Sequence, residues 1–216
     1  LVCTPRKSAK EAVSLLSLVD FLKPLPNIAL TGKMRAGKDE VYKILKSLGF
    51  DIVRLSFGDF MKKHFYDTFP HIPREPKPIK LFQQYGQAMR AIYENVWVDK
   101  AMAYMEEVKR TRALAGLQPP TFVVTDVRQP NEYKAVRDAG FLVVKVEAPE
   151  EVRIRRMLAL GETVSEEILN AETEQHVDTF DVDYVLHNSG SYDDLKKAVV
   201  EMVYQIQAGK VKTNGR

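Results

Sequence analysis

The stretch Gly32-Lys33-Met34-Arg35-Ala36-Gly37-Lys38-Asp39 sets two glycines, a lysine and a carboxylate at a spacing suited to holding phosphate. Glycines let the backbone curl so that successive N–H groups, those of Lys33, Met34, Arg35 and Ala36 among them, point at one anion. Lys38 adds a cation that reaches β- and γ-phosphates, and the helix expected after the loop adds positive potential. Such loops normally end on Ser or Thr, whose hydroxyl ligates Mg²⁺, and here Asp39 takes that place. A carboxylate is also a hard oxygen ligand for Mg²⁺. Its charge beside phosphates makes sense chiefly when the cation is always present, and the plainer use for Asp39 is as a helix cap in a first turn.

Three other groups of charged residues suit the same chemistry. Asp126 ends an apolar run, where open α/β sheets place ligand groups, and can hold Mg²⁺ or its waters. Arg128 follows two residues later and can pair bidentately with a phosphate; a salt-bridged strand end is the alternative for this pair. Within EEVRIRRMLALGE, Arg153 and Arg156 share a helical face at i, i+3 while Arg155 points elsewhere. Arginines there can close over reacting phosphates, or simply form a solvated basic face. Lys62 and Arg90, together with Arg128, supply positive charge for a second, acceptor phosphate. Phe82, Tyr85, Tyr93 and Trp97 lie near them in sequence and suit either stacking on a ring or core packing.

The elements that must position these residues alternate. Apolar runs at 28–31, 51–56, 121–126, 141–147 and 182–188 predict strands, and helical periodicity predicts helices over 37–48, 59–68, 78–116, 130–139, 150–160 and 191–208. Five short β-branched runs separated by helices imply a parallel sheet covered on both faces. The proline-rich PHIPREPKP (70–78) interrupts the helical region 59–116. Before the loop, Ala12, Leu15, Leu16, Val19 and Leu22 recur at helical spacing until Pro24 and Pro26 stop the pattern. Residues 1–26 thus read as an amphipathic extension for packing or homodimer formation, with a frayed tail as the alternative, and residues 209–216 as a tail.

Composition limits the alternatives. With 216 residues, 45% hydrophobic and 28% charged, the chain carries apolar material for a full core. A net charge of +3 makes no case for a nucleic-acid polymer as partner, so any anion site must be local. The single cysteine, Cys3, rules out an intrachain disulfide framework and fits a reducing, cytoplasmic setting. Four histidines show no metal-ligand spacing, and no run reaches the ~18 apolar residues of a membrane span.

GKMRAGKD, FGDFMK, TDVRQPNE, the arginine-bearing helix after the fourth strand, and HNSGSYDDL occur in that order over residues 27–208. In this the chain resembles the phage-type deoxynucleoside monophosphate kinases, and more distantly the animal phosphomevalonate kinases and dephospho-coenzyme A kinases. The first two groups carry G-x4-G-K-D and share the D-x-R element seen here as Asp126-Val127-Arg128. The resemblance implies a three-layer α/β/α P-loop kinase with a five-stranded parallel sheet over 27–208, an acceptor-binding helical region at 59–116 and a lid at 150–180. ATP and Mg²⁺ would then occupy Gly32 through Asp39, with Asp39 and Asp126 at the metal and the adenine against Asn188, Ser189 and Gly190. An acceptor monophosphate would sit between Lys62, Arg90, Asp126 and Arg128, and Arg153 and Arg156 would belong to the lid.

A monophosphate oxygen is already anionic, so its in-line attack on the γ-phosphorus needs positioning, Mg²⁺ and positive charge more than a general base. The expected products are ADP and a nucleoside diphosphate. Two rival readings stay open on the residues alone: a kinase for another phosphorylated small molecule such as phosphomevalonate, and a nucleotide-dependent switch or assembly ATPase with no small-molecule acceptor.

Overall fold

Successive residues of the strand Ile28–Thr31 (β1) face different layers, and this alternation organises the molecule. The computed structural model describes residues 23–162, 164–169 and 172–211; the amphipathic helix expected before residue 23 lies outside them, as does most of the tail. Ile28 and Leu30 pack with Val123, Leu142, Val144 and Val146 beneath the helices Lys38–Ser47 (α1) and Tyr192–Gln207 (α9). Ala29 points the other way, with Phe122, Val124 and Val143. That second face is covered by Phe57–Thr68 (α2), Val96–Leu114 (α4) and Pro130–Asp138 (α5), through Phe57, Trp97, Val98, Ala101, Met105 and Val136. Covering on both faces is why the strands read as unbroken apolar runs. Each fully buried Val, Leu or Ile contributes roughly 1.5–3 kcal/mol.

The other strands are Ile52–Leu55 (β2), Thr121–Val127 (β3), Leu142–Glu147 (β4) and Tyr184–His187 (β5). They form one five-stranded sheet in the order β2-β3-β1-β4-β5, and every pairing is parallel. The expected three-layer α/β/α fold is therefore present. Because β1 lies between β3 and β4, the loops leaving β1 and β3 emerge side by side at the carboxyl end of the sheet. The Thr31 hydroxyl donates to the Val127 carbonyl at 2.9 Å and ties those two ends together.

Element boundaries depart from the expected ones where side chains compete for the backbone. The helix expected over 78–116 is two helices, Ile79–Ile92 (α3) and α4, because Tyr93 is extended and the Asn131 amide donates to the Glu94 carbonyl and Asn95 Oδ1, both at 3.1 Å. The α2 helix starts at Phe57, earlier than expected, since the Ser56 hydroxyl accepts the Asp59 N–H at 3.2 Å and caps it. Glu150–Ala159 (α6) follows β4, and two single turns, Glu166–Leu169 (α7) and Glu172–Gln175 (α8), lead back to β5. No described helix is long and apolar enough to cross a membrane.

One buried ion pair fixes the β4–β5 edge. The Asp183 carboxylate is inaccessible, accepts the Val143 N–H at 2.7 Å and pairs with Arg137 at 2.6 Å. Removing one partner strands the other without compensation. Asp183→Ala should lower the unfolding free energy by about 3–5 kcal/mol in urea denaturation, with the slope unchanged; a loss within experimental error would show the edge to be held by packing alone.

Candidate active site

The loop between β1 and α1 is curled by contacts that leave no room for side chains at its two glycines. Gly32 has φ +135°, and a Cβ there would meet the Val146 carbonyl oxygen at 2.2 Å. Gly37 has φ +107°, and a Cβ would meet Asn188 Nδ2 at 2.3 Å. Arg35, between them, holds a left-handed φ of 60°, a conformation that non-glycine residues seldom adopt. The strain is met by bonds from outside the loop: Arg156 donates to the carbonyls of Arg35 and Ala36 at 3.1 and 3.3 Å, and Asn188 Nδ2 donates to Ala36 at 2.7 Å.

Lys38 opens α1 and is buried, with Nζ donating to the Gly32 carbonyl at 2.5 Å and the Lys33 carbonyl at 3.0 Å. Burial, then repulsion from Arg128, pulls its pKa down to about 7 against the attraction of Glu174, Asp126 and Asp39. Two carbonyls are a poor counterpart for an ammonium, so this site gains when an anion enters.

Three carboxylates from residues 162–178 meet the loop. Glu162 pairs with Arg35, and Asp178 pairs with Lys33 and Lys145, each at 2.9 Å. Glu174 goes further in: only 2% exposed, it accepts the Met34 N–H at 2.5 Å and pairs with Arg128 Nη1 at 3.0 Å.

The two acidic candidates for Mg²⁺ differ in how free they are. Asp126 caps α2, accepting from the Ser56 hydroxyl (2.8 Å), the Phe57 N–H (3.0 Å) and the Gly58 N–H (2.9 Å), which leaves open only one side of Oδ1. Gly58 permits that approach, because a Cβ there would press on Asp126 Oδ2 at 3.2 Å. Asp39 is largely exposed and accepts from Arg54 at 3.2 Å. Among the described residues no group of three His, Cys, Asp or Glu side chains could hold a metal. One or two carboxylates are nevertheless what Mg²⁺ uses when phosphates and water complete its shell, so this donor set fits the ion.

A cleft of about 1270 Å³ joins these groups to the helical region. Lys62, Arg90, Arg128 and Arg156 line it together with Lys38, Asp39, Asp126, Asn188 and Gly190, so most of the sequence-predicted positions converge. Lys62 pairs with Asp59 at 2.9 Å, and Arg90 with the buried Glu132 at 3.4 Å. Glu132 Oε2 also accepts the N–H groups of Arg128 and Gln129, at 2.9 and 3.0 Å, which orients the turn carrying Arg128. Burial, then the nearby Asp126 charge, raises the pKa of Glu132 to about 7.

One candidate is placed otherwise than expected. Arg153 does not line the cleft: it is buried, pairs with Glu150 at 3.2 Å and borders a separate cavity of about 270 Å³ with Lys33 and Lys145. Sharing a helical face with Arg156 did not suffice, because the first turn of α6 packs behind the loop. Asn188 lines the cleft but is 5% exposed, and its amide is bound to Ala36 and Arg156, so it also braces the loop. Among residues that sequence reasoning missed, Glu132 was signalled by Pro-Asn-Glu at a helix start, a capping pattern; nothing local marks Glu174 or Arg54.

Comparison with known proteins agrees with this geometry. The AAA domain family model matches residues 28–176, well over half of the chain. No curated protein sequence matches. Among solved structures, a shikimate kinase from Acinetobacter baumannii in complex with shikimate covers 91% of this chain and 99% of its own, at 16% identity and TM-score 0.53. TT1252 from Thermus thermophilus covers 85% and 98% at 20% identity and TM-score 0.51, and a gluconokinase from Sinorhizobium meliloti 1021 covers 87% and 97% at 13% and 0.51. At such identities the similarity shows the fold, that of P-loop kinases.

Glu132 makes stability depend on pH with a definite sign. Its pKa is about 7 in the fold against 4.5 when unperturbed, so its ionisation costs stability as pH rises through that window, on the order of 3 kcal/mol in all. A Glu132→Gln variant lacks this titration. Thermal unfolding should therefore show the variant gaining on the parent between about pH 4 and pH 8; a gap that does not change with pH would mean that Glu132 titrates normally.

Proposed function

The chain belongs to the AAA domain family, and from that premise we propose that it catalyses ATP- and Mg²⁺-dependent phosphoryl transfer to a (deoxy)nucleoside monophosphate. The observation that carries this reading is one cleft with cationic groups of two kinds: the loop amides and Lys38 on one side, and Lys62, Arg90 and Arg128 toward the helical region. A water-directed ATPase needs only the first set.

In this reading ATP lies along the loop, with Lys38 leaving its two carbonyls for the β- and γ-phosphates. Asp39, and the open side of Asp126 Oδ1, would hold Mg²⁺, which supplies charge neutralisation at the phosphates. An acceptor oxygen held by Arg90 and Arg128 forms a bond to the γ-phosphorus as the bond to the β–γ bridging oxygen breaks. The electron pair leaves on ADP, and no proton has to be removed. Arg156 keeps the loop's curl through the transfer, acting on backbone carbonyls.

The cleft wall supports a nucleobase. Gln83 and Gln87 lie one helical turn apart on α3, are exposed and line the cleft beside Phe82. Each amide carries a donor and an acceptor, which complement the edge of a base. A phosphomevalonate-type acceptor presents no such edge.

ADP release should be measured across ribo- and deoxynucleoside monophosphates, phosphomevalonate and an acceptor-free control. At least one nucleotide should stimulate release; stimulation by phosphomevalonate alone, or an undiminished rate without acceptor, would contradict the proposal. Lys38→Ala should lower turnover by roughly 10²–10³-fold in a variant that still unfolds in one cooperative transition. Gln87→Ala should raise the acceptor KM by about tenfold at near-constant kcat.

A further inference from the structure

Among the described residues three carboxylates reach the loop: Glu162 and Asp178 pair with side chains on its outer surface, and Glu174 accepts from its backbone. The Met34 N–H belongs to the set of donors that the curl aims at an anion, and Arg128 is the cation at the neighbouring strand end. A carboxylate bridging the two, 2% exposed, imitates a phosphoryl group: negative, and with two oxygens answering two donors. Lys38 feels the same charge.

We propose that Glu174 is a resident occupant of the phosphate site, which holds Met34 N–H and Arg128 ready in the empty protein and which ATP must displace to bind. This inference rests on the ATP-binding half of the reading above and is independent of the acceptor. The affinity for ATP is then reduced by the fraction of molecules in which Glu174 is in place. Ligands that carry no phosphate, such as adenosine, are not in competition with it. Displacement also frees Arg128 from its carboxylate partner at the moment a nucleotide arrives, so Glu174 acts on the acceptor side through Arg128, as a positioning residue.

The test is calorimetric titration of the full chain and of Glu174→Gln and Glu174→Ala, using Mg·ATP and, separately, adenosine. Mg·ATP should bind both variants at least tenfold more tightly than the parent, with adenosine affinity unchanged. In Glu174→Ala, inorganic phosphate should raise Tm more than it does in the parent, because the two donors are then open. Equal or weaker Mg·ATP binding by folded variants overturns the occupant while leaving ATP binding in place, and an equal tightening for adenosine overturns it too. If Glu174→Ala does not fold, the isosteric Glu174→Gln decides. Failure of parent and variants alike to bind Mg·ATP overturns both this inference and the reading it rests on.

Discussion

The curl of residues 32–37 is the constraint on which the rest of the site depends. Such a curl is costly, since its N–H groups need partners outside regular secondary structure and one non-glycine residue, Arg35, sits at positive φ. The fold offsets that cost by fastening the loop's carbonyls, while Glu174 takes the Met34 N–H and the Lys33 carbonyl takes that of Ala36. Asn188, at the end of β5, and Arg156, in α6, both reach Ala36, and Arg156 continues to Asn188 Oδ1 at 3.0 Å. Gly32 lies against β4 through Val146, and Gly37 against Asn188. Strand ends far apart in sequence thus close on one turn of backbone.

The second organising feature is the use of buried carboxylates as backbone acceptors. Asp126 gathers the N-terminus of α2, Glu132 gathers that of α5, and Asp183 holds the β4–β5 edge. Each also stands near a cation, and two of them position a piece of the cleft: Asp126 the turn after β2, Glu132 the turn bearing Arg128 and the side chain of Arg90. Placing negative charge among these cations keeps Arg90 and Arg128 ordered before any phosphate arrives. The raised pKa of Glu132 reflects the cost of that arrangement.

Much of this was legible in the sequence for a simple reason: strands buried on both faces and a glycine-lysine loop leave contiguous signals. The five runs, the loop, Asp126 and Arg128 are of that kind. Illegible features depend on distant pairs. Arg153 and Arg156 share spacing and chemistry, yet only the packing of α6 against the loop decides that one faces the cleft and the other is buried behind it. Glu174 and Met34 are 140 residues apart, and neither carries a local mark of the other. The bracing contact of Asn188 is of the same kind, because its partner, the Ala36 carbonyl, is backbone and invisible to pattern. Asp39 sits where the metal ligand is expected, and its partner Arg54 comes from β2, where an arginine reads as part of a strand.

The central claim is that one cleft holds a donor triphosphate and an acceptor phosphate at once. A bridged analogue in which adenosine and a deoxynucleoside are joined through five phosphates spans both ends. Calorimetric titration should give one molecule bound per chain, at least tenfold tighter than ATP, with the gain lost in Arg90→Ala. Binding no tighter than ATP, or a gain that survives loss of Arg90, would contradict the account.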